Sequence, residues 1–251
     1  MAHYVAVNHD RQLIAIFSPK CGSNTIKAWF YNTLGIKEPD VQRHFSRYMI
    51  SPAQIGTYPH YRKVFFIRNP FRRLVSFYAR WVVRNHTTWC FADDRKRFLL
   101  HDKSFCDFVH ILNHLWGQRL AFQHHLKPQT LGLIDLTFDH IVKLETFDSD
   151  IELLNQRLGI HFTPHRLNAT AYDPLIKIDA FACKPDQLRE RNIPTYECFY
   201  NADLIDIVCR IYNQDVTYYY RHALVAIDLS KIVNPDNDLP NWVTPVVRNG
   251  P

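Results

Sequence analysis

The chain predicts an α/β fold, a central parallel sheet flanked by helices, and three observations carry that expectation. Short apolar runs at 13–17, 64–67 and 140–144 have the length and the β-branched, aromatic make-up of buried strands. Stretches with apolar residues at the helical period follow them. Helix punctuation, in the form of Asn69 before Pro70, Ser104 before Phe105 and Gly159 after Leu158, falls where those stretches begin or end. Alternation of this kind builds one sheet and places ligands at the C-terminal ends of its strands.

Taken in order, residues 4–7 and 13–17 suit a hairpin, and the second strand runs into a polar turn. A helix follows to about Leu34, with Ile26, Trp29, Phe30 and Leu34 inward. The strand at 64–67 ends in Arg68, and a helix starts at Pro70 under an Asn69 cap. Phe71, Leu74, Val75, Tyr78, Trp81 and Val82 form its apolar face, with Arg73, Ser76 and Arg80 as surface neighbours on the other flank. Ser104 caps a helix with Phe105, Phe108, Val109, Leu112 and Trp116 inward. A buried strand at 140–144, a helix at 148–158 and an amphipathic helix at 202–212 complete the pattern. One domain over 1–230 is expected, followed by a Pro- and Asn-rich tail at 231–251.

The turn between Phe17 and Ile26 is the most informative stretch. A strand feeding a tight turn and a helix N-terminus directs unpaired N–H groups and the helix dipole at one point, which makes an anion cradle. Lys20 adds a full charge there, and Gly22, Ser23, Asn24 and Thr25 are small or hydrogen-bonding. A nucleoside-triphosphatase P-loop requires G-x-x-x-x-G-K-[ST]. Here the lysine precedes the turn's one glycine, no Gly-Lys-Ser/Thr occurs, and the chain has 7 glycines in all. The next strand ends in Arg68, where a magnesium-dependent enzyme usually carries an aspartate. Direct cation–phosphate contact, without a bridging metal, is the expectation.

Composition is compatible with this. With 251 residues, 47% hydrophobic and 22% charged, the chain can bury a substantial core. Its net charge of +6 attracts anions, but the basic residues are dispersed. Arg95, Lys96 and Arg97 stand beside Asp93 and Asp94, a mixed-charge face, so nucleic acid is not the expected partner. No run approaches the ~18–20 apolar residues of a membrane span.

These segments resemble the sulfotransferases that use 3′-phosphoadenosine 5′-phosphosulfate (PAPS), and most of all their carbohydrate branch, sulfotransferase family 2. The Pro19–Thr25 turn is similar to that family's 5′-phosphosulfate loop, and Arg68 with Ser76, eight residues on, to its 3′-phosphate pair. The run from Val64 to Ser76 resembles the branch's Arg-Asp-Pro-x-x-Arg-Leu-Val-Ser, with Asn69 in place of the aspartate. The stretch from His125 to Gln129 is similar to His-Trp-x-Pro-Gln, with Leu126 for the tryptophan, a change that points to an altered acceptor pocket. Further likenesses fall at 138–146 and at 167–170, and the whole spans about 12–220.

The resemblance implies a metal-independent, in-line transfer of a sulfuryl group from PAPS to a hydroxyl of a carbohydrate or other polar acceptor, leaving PAP. It assigns the 5′-phosphosulfate to Lys20, Cys21, Gly22, Ser23, Asn24 and Thr25, and the 3′-phosphate to Arg68 and Ser76. Asn168 and Thr170 either line the nucleotide site or cap a turn. Lys20 is also the candidate for the charge developing on the bridging oxygen. A histidine base is expected. His44, 24 residues before Arg68, is the first candidate and His125 the second.

Other readings stay open: a phosphoryl-transfer enzyme with an atypical P-loop, or a non-catalytic relative that binds anionic glycans. His110 and His114 have metal-ligand spacing, but no H-E-x-x-H or cysteine pair completes a site. The six scattered cysteines form no C-x-x-C and are expected to be reduced in the cytoplasm. Met1 favours a soluble bacterial-type protein over a trimmed Golgi-luminal domain. Cys21, beside Lys20 at a helix N-terminus, is read as a loop filler, with a lowered pKa and redox sensitivity as the minor alternative.

Overall fold

A computed structural model describes residues 3–36, 44–84, 100–118, 124–133, 135–162, 171–190 and 192–221. Its centre is a four-stranded sheet in the order β1 (Tyr4–Asn8), β2 (Leu13–Phe17), β3 (Arg62–Ile67), β4 (His140–Lys143). β1 and β2 form the expected antiparallel hairpin, with Ala6 opposite Ala15. β2–β3 and β3–β4 are parallel, with Phe17 level with Phe66 and Phe66 level with Val142.

Strand residues alternate between two cores because side chains leave a strand on opposite faces. Leu13, Ala15, Phe17, Val64 and Phe66 pack against α1 (Ser23–Thr33) and α4 (Phe147–Leu158), through Ile26, Trp29, Phe30, Ile151 and Leu154. Ile14, Ile16, Phe65 and Ile67 face Ile55, Leu133 and Tyr219, the last from α7 (Asn213–Arg221). Burial on both faces explains why β2 and the end of β3 read as continuous apolar runs. A third core joins α2 (Pro70–Tyr78), α3 (Phe105–Gly117) and α6 (Ala202–Ile211). Two short pieces, β5 (Tyr172–Asp173) and β6 (Ile193–Pro194), pair in parallel, and α5 (Pro185–Arg189) lies between them in the chain.

The caps fall where the punctuation placed them. Asn69 Oδ1 accepts from the Phe71 and Arg72 amides, Ser104 and Asp107 form a capping box, and Gly159 closes α4 in the left-handed region at φ 61°. Four expectations need correcting. β4 is an edge strand and only Val142 is buried in it, so it is half-covered rather than buried. Trp116 is 43% exposed and Leu115 takes its inward place. Arg73 is buried, not a surface neighbour of Ser76. Leu126 is buried in the helical core and is not among the residues that line the cleft described below. The 231–251 tail lies outside the described residues. Among the described residues, no helix is long and apolar enough to cross a membrane.

Candidate active site

β2 and β3 end side by side, and the turn after β2 folds into the cradle. Lys20 and Gly22 both have positive φ, 69° and 79°. Lysine adopts that region only at a cost, whereas glycine enters it freely. Gly22 is also close-packed, since a Cβ there would stand 2.6 Å from Leu144 Cδ1. These two residues bend the chain so that α1 begins at Ser23, with its first turn beside the strand ends.

A cleft of about 890 Å³ opens at this edge, lined by Lys20, Gly22, Ser23, Asn24 and Thr25 on one side and by Arg68 and Ser76 on the other. Lys27, Arg72, Arg80 and Arg84 add further cations, and Trp81, His125 and Tyr172 give it ring surfaces. The acidic side chain in the lining, Glu145, sits with Oε1 3.9 Å from Arg68 Nε. Its carboxylate also accepts from the Asn69 amide and the Tyr219 hydroxyl. Beyond Tyr78 the helix widens to a π-helical turn (Ala79–Arg84), and this turn delivers Arg80, Trp81 and Arg84 to the cleft. Such turns recur at functional sites because they re-aim side chains without ending a helix.

The two cationic residues are physically tied. Arg68 Nη1 donates to the Lys20 carbonyl at 2.9 Å. Arg73 Nε donates to the Pro19 carbonyl at 3.1 Å, and its Nη2 to the carbonyls of His125 (3.0 Å) and Lys127 (2.9 Å). Arg73 is therefore a structural staple that joins the cradle to the His125 segment.

Electrostatics follow from this crowding. Burial, then the Arg68, Arg80 and Arg73 guanidiniums, pulls the Lys20 ammonium down to about 7. Burial, then His124, Lys20 and Arg73, pulls the His125 imidazole down to about 4. Three buried polar atoms make no hydrogen bond: Ser18 Oγ just after β2, and Arg68 Nε and His125 Nδ1 on two cleft-lining residues. Several cations in one cleft suit an anionic ligand with more than one charged group.

Several sequence-predicted residues thus meet in one place: Lys20, Gly22, Ser23, Asn24, Thr25, Arg68, Ser76 and His125. Cys21 does not join them. It is buried, its Sγ donates to Gln129 Oε1 at 2.8 Å, and burial pushes the thiol up to about 11, opposite to the lowering that a helix N-terminus suggested. His44 is exposed at the head of a 3₁₀ turn (Phe45–Tyr48) and is not among the lining residues. Its neighbour Phe45 packs under Lys27, whose Nζ lies 5.1 Å from that ring. Asn168 and Thr170 lie outside the described residues.

Lys27 and Arg84 escaped the sequence reading, although Lys27 is one turn beyond Ser23 and Arg84 one turn beyond Arg80. His110 and His114 are exposed on α3, and among the described residues no group of three or more His, Cys, Asp or Glu is placed to hold a metal ion.

A cation-lined cleft at the strand ends of a mostly parallel α/β sheet suits a multiply charged anion. A family model described as "Sulfotransferase family" matches residues 3–221, nearly all of the described chain. The chain belongs to the sulfotransferase family, family 2, and is a transferase of the sulfuryl-transfer type. No curated protein and no solved structure matches it.

Proposed function

We propose that the protein transfers a sulfuryl group from PAPS to a hydroxyl of a carbohydrate or another polar acceptor, without a metal and with histidine as base. The observation that carries this reading is the one cleft shared by the Lys20 turn and Arg68, bonded to each other and joined along the lining by Arg72, Arg80 and Arg84. A donor with a phosphosulfate at one end and a 3′-phosphate at the other needs two cationic subsites of this kind.

In this reading the α1 amides, Ser23, Asn24 and Thr25 hold the phosphosulfate, and Arg68 with Ser76 holds the 3′-phosphate. Lys20 stands where charge grows on the leaving oxygen, and preorganised cations stabilise that charge without reorganisation. His125 lines the cleft with Lys20 and is neutral at pH 7, so it has a lone pair to take the acceptor's proton. We favour it over His44 on position. Asn168 and Thr170 are proposed as a further part of the nucleotide site. One catalytic domain over 1–230 and a cytoplasmic location are part of the proposal. Free thiols at Cys21, Cys106, Cys183, Cys198 and Cys209 suit a reducing compartment.

Thermal melting with PAP and with Mg-ATP, side by side, tests the donor. PAP at 100 times its Kd should raise stability by about 2.7 kcal/mol with no metal added. Stabilisation by Mg-ATP and none by PAP would overturn the reading in favour of phosphoryl transfer.

A further inference from the structure

The sheet has a gap where its two cation-bearing strands part, and one side chain fills it. Leu144 donates its amide to the Ile67 carbonyl on the β4 side of β3. Successive residues of a strand point their backbone groups to opposite sides, so Arg68 presents its amide and carbonyl toward β2. There β2 has already ended at Phe17 and turned into the cradle. The Gln129 side chain takes its place. Oε1 accepts the Arg68 amide at 2.9 Å and Nε2 donates to the Arg68 carbonyl at 2.8 Å, as a neighbouring strand would. The same Oε1 accepts the Cys21 thiol at 2.8 Å, on the β2 side of the gap.

Gln129 is itself fixed from a distant part of the chain. Asp215, on α7, accepts the Gln129 amide (2.8 Å) on Oδ2 and the Thr130 amide (2.9 Å) and hydroxyl (2.8 Å) on Oδ1. Gln129 and Asp215 both have 0% exposure. A buried carboxylate with three donors holds its loop to one geometry, because any displacement strands charge and donors together.

We propose that Gln129, anchored by Asp215, is a positioning residue that sets the register of the Lys20 turn against Arg68. It touches no ligand and acts through those two residues. The inference rests on the donor reading for its binding readout only.

The test compares Gln129→Met, which removes all four side-chain bonds, a long one to Asp215 Oδ2 (3.5 Å) among them, with Thr130→Val, which removes a buried bond to Asp215 yet touches neither strand end. Asp215→Asn keeps one acceptor oxygen and serves if Gln129→Met fails to fold. Two readouts are taken on the full chain: PAP affinity and hydrogen exchange at the Arg68 amide. Gln129→Met should weaken PAP roughly 10- to 100-fold and deprotect the Arg68 amide. Asp215→Asn should show a smaller loss of both kinds, and Thr130→Val should stay within about 2-fold of wild type. Equal losses in Gln129→Met and Thr130→Val, or an Arg68 amide still protected in Gln129→Met, would overturn the proposal. Failure of the wild-type protein to bind PAP sinks the donor reading instead, and the exchange comparison still decides the register claim.

Discussion

Arg68 Nη1 donates to the backbone carbonyl of Lys20 at 2.9 Å, across 48 residues of chain. The arginine thus holds the turn that carries the lysine, while its Nε faces the Glu145 carboxylate at 3.9 Å. Removing either residue therefore has separable consequences. Lys20→Met deletes a charge and no structural bond. It should cut turnover by about 10²–10³-fold, as loss of one preorganised transition-state donor does, with a smaller effect on PAP affinity. Arg68→Met should weaken PAP binding first, and Arg68→Lys should not restore it because a point charge cannot replace the fork. Steady-state kinetics beside calorimetric PAP titration check both; equal effects of the two variants on affinity count against the division of roles.

The base is decided by paired substitutions. His125→Ala should reduce turnover by about 10²–10⁴-fold and leave PAP affinity near wild type, the size expected for general base catalysis. His44→Ala, on an exposed turn, should retain most activity. The reverse pattern returns the role to His44.

Proton linkage gives a test that needs no acceptor. Lys20 is held near 7 by burial and neighbouring guanidiniums, against an ordinary 10.5. A bound anion favours the ammonium, so the pKa rises on binding, and between the free and bound values the complex takes up a proton. PAP affinity should be fully present below about pH 7 and fall as pH rises above it. Without ligand the sign is opposite. The unfolded chain holds the proton up to about 10.5, so the Lys20 contribution to stability improves as pH rises from about 7 toward that value. Titrations at pH 8 in Tris and in HEPES should give heats that differ by buffer ionisation, and identical heats would exclude the uptake. Lys20→Met should abolish the difference.

His125 predicts a flat limb. With its imidazole near 4, the ring is deprotonated at every pH above about 5. The kcat/KM for donor, which reports the free enzyme, should therefore not decline between pH 8 and pH 6 from protonation of the base. A loss centred near pH 6.5 in that range would show an unshifted histidine at work.

Gly22 should tolerate no side chain. Alanine at φ 79° is disfavoured by about 1–2 kcal/mol, and its Cβ also meets Leu144 Cδ1 at 2.6 Å. Gly22→Ala should destabilise the fold by roughly 1–3 kcal/mol in urea unfolding and weaken PAP, because relief of the contact shifts the cradle. Gly35, with a comparable φ of 73° and no atom within 4 Å of a built Cβ, is the control. Alanine there should lower stability alone.

Much of this site was legible in the chain because its signals are local. The cradle shows in the change from Phe17 to Ser18 to Gly22, and Arg68 is marked by the strand before it and the Asn69–Pro70 cap after it. What misled the reading was nonlocal. Helical spacing puts Arg73 near Ser76 and Arg80, yet the carbonyls of Pro19, His125 and Lys127 draw Arg73 into the interior. Cys21 follows Lys20 in sequence, but the bend at Lys20 turns its thiol to Gln129 and a low-dielectric core. His44 stands 24 residues before Arg68, a separation that carries no information on whether it lines the cleft, and it does not.

The sequence by itself determined the four strands of the main sheet, helices α1–α4 and α6, the Asn69, Ser104 and Gly159 caps, the family, and the two places where cations meet strand ends, since each depends on residues within a few positions of one another. Only the tertiary structure decided which cations face one cleft, which histidine joins them, and that Gln129 and Asp215 bridge the gap between β2 and β3. Those outcomes depend on contacts between residues tens of positions apart. Burial and hydrogen-bond satisfaction select such contacts, and neither quantity exists until the chain has closed on itself.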